Sequence, residues 1–204
     1  VAVALLLAFF AFAALDWFAV ATGRHALEYV AKPAALAALL GWAATGTHPS
    51  PFLLAALACS LLGDVFLMLP RDAFRAGLTA FLLAHLAYIA DFDVPVTTRA
   101  LGLAVILVVT APLALRVLRA VPDAGLRALV AVYSLALSLT AASAIASGNV
   151  VAATGGVLFL LSDLLLGWNR FVGPAGGGHL GVMVTYHAAQ LALVAYLRST
   201  VPVA

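Results

Sequence analysis

Apolar runs long enough to cross a bilayer, parted by breaks of only a few residues, occupy this chain from end to end. A spanning helix needs about 20 mostly apolar residues. Eight stretches approach that length: Val1–Thr22, Glu28–Thr45, Pro51–Leu69, Phe74–Phe92, Arg99–Arg119, Gly125–Ser147, Val150–Gly167 and Gly178–Arg198. The breaks use turn chemistry, as in Gly46-Thr47-His48-Pro49, Pro70-Arg71-Asp72, Asp93-Val94-Pro95, Pro122-Asp123, Ser147-Gly148-Asn149 and the run from Gly173 to Gly178. Within each run the apolar residues are continuous rather than alternating, which predicts helices and not barrel strands. No break is long enough to separate domains. The expectation is an all-α, polytopic membrane protein: a single transmembrane domain of eight helices over residues 1–204.

Composition enters because it fixes the solvent. Of 204 residues, 66% are hydrophobic and 9% charged, with a mean hydropathy of +1.17. A soluble domain carries roughly 25% charged residues, so this chain lacks the polar groups to cover itself in water. A net charge of +2, with no basic stripe, excludes nucleic acid as a partner. A single cysteine, Cys59, excludes an intrachain disulfide. Val1–Leu15 also resembles a signal-peptide core, with Ala19-Val20-Ala21 as a cleavage site. With no basic leader before it, the segment is read as the first spanning helix.

Orientation follows from Lys and Arg. Arg24, Lys32, Arg71, Arg75, Arg116, Arg119, Arg127 and Arg170 fall on one side of an eight-helix topology, and Arg99 and Arg198 on the other. The first side is placed in the cytoplasm of a bacterial inner (plasma) membrane.

Two carboxylates stand out against this background. Leu61-Leu62-Gly63-Asp64-Val65-Phe66-Leu67-Met68 buries Asp64 in hydrocarbon, and the context returns around Asp163 in Leu160–Leu166. An ionised Asp at bilayer depth costs about 2.5 kcal/mol or more, so each is expected to pair, face water or do chemistry. Both lie four or five residues from the expected ends of their helices, roughly 6–8 Å below the same membrane face. The recurrence also suggests a duplication into two parallel four-helix repeats, with the two Asp residues across a central cavity. Two carboxylates facing one cavity supply a general acid and a general base. The bland reading is structural: each Asp caps a helix or pairs with Lys32 or an Arg.

Lys32 follows Glu28 by one helical turn, which allows an intrahelical ion pair; the alternative is a cation that meets a lipid phosphate or balances the Asp charges. His85 and Tyr88 share one helix face, Tyr186 and Gln190 another, and all four also suit interhelical hydrogen bonding. Ser60, Ser162 and Asn169 read as backbone-bonded packing residues. His187 points to a different face from Tyr186, and His25, His48 and His179 fall in breaks. No His pair has metal-ligand spacing and no Gly-x-Ser-x-Gly elbow is present, so neither metal nor cofactor is expected.

Taken in order, Lys32-Pro33, Leu62-Gly63-Asp64-Val65-Phe66-Leu67-Met68, Phe81-x-x-x-His85-x-x-Tyr88, Gly156-x-x-Phe159-x-x-Ser162-Asp163, Asn169-Arg170-Phe171 and Tyr186-x-x-x-Gln190 resemble the YhhN-like lysoplasmalogenase family of eight-helix membrane proteins. The resemblance implies hydrolysis of the vinyl-ether bond of a lysoplasmalogen-type lysophospholipid, taken from membrane lipid, to a fatty aldehyde and a glycerophospho-head group. Asp64 and Asp163 would then be catalytic. Lys32, His85, Tyr88, Asn169, Arg170, Tyr186 and Gln190 would form the substrate pocket. A proton- or ion-coupled transporter, or another lipid-handling protein using the same buried Asp and His residues, is the competing class.

Overall fold

The computed structural model describes residues 1–200, and its elements are helices: α1 (Ala2–Thr22), α2 (His25–Ala44), α3 (Pro51–Met68), α4 (Phe74–Asp91), α5 (Val96–Ala120), α6 (Ala124–Ala146), α7 (Val150–Phe171) and α8 (Gly178–Leu197). Among the described residues there is no strand. Helices of 18 to 25 residues reach roughly 27–38 Å, the thickness of a bilayer core. Six of them are apolar enough to span by composition. The other two, α2 and α4, are as long but carry polar residues inside, including Lys32, His85 and Tyr88. The chain is a polytopic membrane protein.

Helix ends follow local chemistry. Ser50, Asp123 and Asn149 are N-caps whose side chains accept from backbone N–H groups of the first turns of α3, α6 and α7, satisfying donors that have no partner within the helix. Pro51 opens α3, where its missing N–H costs nothing. Gly23 closes α1 in the left-handed region at φ 67°, which lets α2 begin two residues later. The expected boundaries need three extensions. α2 starts at His25 rather than Glu28, α5 starts at Val96 rather than Arg99, and α7 runs one turn past Gly167 to Phe171. Glycine is a weak stop in a membrane helix, because the backbone gains nothing from unwinding in lipid. Asp163 is therefore eight residues, about 12 Å, from the end of its helix, deeper than the sequence suggested, whereas Asp64 lies four residues from the end of α3.

The described residues form two compact units, one of Val1–Asp91 with residues 197–200, the other of Phe92–Tyr196. Each holds four helices, and the singled-out Asp sits on the third helix of each. In the first unit α1 packs on α2, α2 on α3 and α3 on α4. Small residues set these contacts. A Cβ on Gly63 would come within 2.5 Å of the Phe81 ring, and one on Gly77 within 2.6 Å of Leu67 and 3.3 Å of the Gly63 carbonyl, so α3 and α4 touch almost backbone to backbone. Ser50 donates to Asp91, tying the start of α3 to the end of α4. Arg198 donates from Nε to the Trp42 carbonyl at 3.1 Å and stacks over the Trp42 ring, fixing the chain after α8 to the end of α2.

In the second unit α6 packs against α5 and α7. Gly156 lets α7 close on α6, since a Cβ there would stand 2.9 Å from Ala141 Cα. Gly155 does the same toward Leu193 of α8, at 3.0 Å. α5 buries little beyond Ile106 and Val117 and exposes Leu101, Val105, Val108 and Val109. An apolar face left open in this way suits lipid.

Candidate active site

In the first unit the polar residues expected from sequence converge. Lys32 Nζ lies 3.0 Å from Asp64 Oδ1, with side chains 4% and 0% exposed. Lys32 belongs to the buried stripe of α2 with Ala31, Ala35, Leu36 and Leu39, and Asp64 to that of α3 with Leu53, Ala56, Leu57 and Ser60. The alanines and Gly63 admit the two long polar side chains without prising the helices apart. Lys32 thus lies inside the protein and does not serve as a surface charge. The excess of basic residues used for orientation rests on the arginines. Glu28, its neighbour in sequence, stands 3.4 Å from His25 Nδ1.

A buried carboxylate and ammonium survive together because each removes the other's charge from the low-dielectric interior. Either one alone would be expensive to bury. The close approach of Gly63 to Phe81 locks this segment of α3 to α4. From Phe81 the α4 stripe continues through Ala84, His85 and Tyr88, all buried, and the His85 and Tyr88 rings lie 6.4 Å apart on the face that their spacing predicted. Ser60, one turn before Asp64, is fully buried; its hydroxyl finds no hydrogen-bond partner among the described residues.

In the second unit Asp163, only partly buried, accepts a hydrogen bond from the Tyr133 hydroxyl of α6. Ser162 beside it is buried and donates to the Val182 carbonyl of α8 at 3.1 Å, the packing role expected of it. Gln190 Nε2 donates to the Tyr186 hydroxyl at 3.3 Å, and Tyr186 meets Phe159 edge-on at 5.7 Å. His187 is buried as well, its ring centroid 5.5 Å from that of Tyr186. Asn169 accepts from the Ala175 backbone N–H at 2.8 Å, holding the loop into α8. Arg170 is exposed on the last turn of α7.

Two residues escaped the sequence reading. Tyr133 looked like one more aromatic in an apolar helix, and nothing local announces its partner one helix further on. Asp16 had a signal: it is an acid inside the apolar segment of α1, the same feature that picked out Asp64 and Asp163. It is completely buried.

A lysoplasmalogenase from Homo sapiens, TMEM86B, is 40% identical over 148 residues, which are 72% of this chain and 64% of that protein. The TMEM86B lysoplasmalogenase of Rattus norvegicus is 35% identical over 170 residues, 82% of this chain and 71% of its own. A lysoplasmalogenase of Mycobacterium tuberculosis is 33% identical over 187 residues, 84% of this chain and 70% of its own. The match thus spans less than two thirds of the human relative. No solved structure matches the chain. The YhhN family model covers residues 27–197, which takes in Lys32, Asp64, His85, Asp163 and Tyr186 and leaves out Asp16. On the strength of that coverage and of these relatives, the chain belongs to the YhhN family.

Proposed function

We propose that this protein is a membrane-embedded hydrolase that cleaves the vinyl-ether bond of a lysoplasmalogen-type lysolipid, releasing a fatty aldehyde and a glycerophospho-head group. The observation that carries the reading is its kinship, at 33–40% identity, with proteins named lysoplasmalogenase. The buried Lys32–Asp64 pair adds a chemical reason. Ionisable side chains inside membrane helices are rare and mark functional sites by default.

The reaction needs a proton at carbon and an oxygen from water. A carboxylic acid delivers its proton to the β-carbon of the vinyl ether, and the C=C electron pair forms the new C–H bond, leaving an oxocarbenium ion. A carboxylate steadies that cation and takes a proton from water as the water oxygen bonds to the cationic carbon. The hemiacetal then gives its O–H proton to the first carboxylate and takes the second one's proton on the glycerol oxygen as that C–O bond breaks, giving aldehyde and alcohol and restoring both carboxyl groups. Beside the Lys32 ammonium, Asp64 takes the part of the anion. Asp163, with the Tyr133 hydroxyl on one oxygen, takes that of the acid. Lys32, His85, Tyr88, Asn169, Arg170, Tyr186 and Gln190 are the side chains we assign to binding the lysolipid. The protein works in a plasma membrane, with the chemistry toward the cytoplasmic half.

The test is aldehyde release by purified protein from a lysoplasmalogen in mixed micelles. Asp64→Asn and Asp163→Asn are each expected to lower turnover about 10²–10⁴-fold, the usual weight of acid–base catalysis, while folded yield is kept. Full turnover in both variants would remove the two-carboxylate mechanism.

A further inference from the structure

Asp16 is a buried carboxylate that the mechanism does not use, and it lies outside the part of the chain matched by the family model. Its position on the α1–α2 hairpin can be fixed from two contacts. Gly23 turns the chain between Thr22 and His25, and at the far end Gly41 packs against the Leu5 side chain, a Cβ there standing 3.2 Å from Leu5 Cδ2. An antiparallel register through both points sets Asp16 opposite Val30 and Ala31. Lys32 is then displaced from Asp16 by only about 1.5–3 Å along the helix axes. The faces agree as well. Asp16 lies on the buried stripe of α1 with Phe9, Ala13 and Ala19, and Lys32 on the buried stripe of α2 with Ala31 and Ala35. Alanines on both stripes bring the helices close.

We propose that Asp16 is the third member of the Lys32–Asp64 ion pair, a positioning residue on α1 that shares the Lys32 ammonium with Asp64 and holds the proton that the pair cannot accommodate. One cation between two ionised carboxylates would leave a net negative charge in an apolar interior, which burial disfavours. One proton restores neutrality. It resides on Asp16 because Asp64 is in direct contact with the ammonium. The remaining titratable or charged side chains on the helices packed here are His25, Glu28 and Tyr29 on α2, Cys59 on α3, and Arg75, His85, Tyr88 and Asp91 on α4.

The measurement is infrared difference spectroscopy of the purified full chain near neutral pH, reading the carbonyl stretch of protonated carboxyl groups. It depends on no activity, and the lysoplasmalogen reading enters only for an effect on turnover, so the two fail separately. Asp16→Asn is expected to remove one protonated-carboxyl band. Asp64→Asn is expected to remove the same band, because Lys32 is then left to Asp16, which ionises to meet it. A band that survives Asp64→Asn, or no band lost in Asp16→Asn, overturns the assignment. Should either variant not fold, thermal melts of Asp16→Glu, Lys32→Arg and the double variant decide instead. Non-additive shifts support the network, and additive shifts overturn it. In aldehyde release, Asp16→Glu is expected to retain the wild-type pH profile while Asp16→Asn displaces it. An unmoved profile in Asp16→Asn contradicts the positioning role.

Discussion

Replacing Lys32 by Met keeps the length and bulk of the side chain and deletes only the ammonium, so its effect isolates the charge. Asp64, 0% exposed and 3.0 Å from that ammonium, is left as a carboxylate among apolar side chains. Removing one member of a buried pair in this way costs about 3–5 kcal/mol. For a chain of this size that corresponds to a fall of roughly 6–20 °C in Tm. Adding Asp64→Asn to Lys32→Met removes the stranded charge altogether, and the double variant should recover most of the lost Tm. The assay is thermal unfolding of wild type, both single variants and the double variant in one detergent at neutral pH. A Lys32→Met variant within about 2 °C of wild type, in terms of the same scaling, would refute the reasoning. A double variant whose loss equals the sum of the singles would refute it too.

Other outcomes follow from the packing. Gly63→Leu forces a side chain into the Phe81 ring, where even a Cβ has 2.5 Å, and should cost about 1–3 kcal/mol in a melt. Gly156→Ala, facing Ala141 backbone at 2.9 Å, should cost a comparable amount, whereas Gly181→Ala, with its nearest neighbour at 3.8 Å, should leave Tm nearly unchanged. Ser50→Ala loses the α3 N-cap and the bond to Asp91 and should cost about 1–2 kcal/mol. Tyr133→Phe removes the donor to Asp163 and should slow aldehyde release while leaving the melt within about 1.5 kcal/mol of wild type, the net worth of one hydrogen bond.

Much of the fold was legible because lipid narrows the choices. A backbone with no water to bond must bond to itself, so each apolar run between turn residues became a helix. The misplaced end of α7 came from reading Gly167 as a stop, a rule made for helices in water. The site was legible in its members and less so in its pairings. Asp64, Lys32, His85 and Tyr88 announced themselves as polar groups in apolar helices, and the spacing of His85 and Tyr88 fixed their shared face. That Lys32 reaches across to α3 depends on how α2 packs on α3, and no local pattern encodes it; Glu28, one turn away, was an equally plausible partner on spacing alone. Tyr133 was invisible for the same reason. Asp16 was visible by the rule that found Asp64 and was passed over because its segment was weighed as a leader or a plain first span.

The most direct test of the central claim is hydrolysis of a lysoplasmalogen by the purified protein in D₂O, with mass analysis of the aldehyde. Protonation at carbon predicts one solvent deuterium on the carbon next to the carbonyl, in an aldehyde that forms with wild type and is lost with Asp64→Asn and Asp163→Asn. No aldehyde from well-folded wild type, or an aldehyde whose adjacent carbon carries no deuterium, would contradict it.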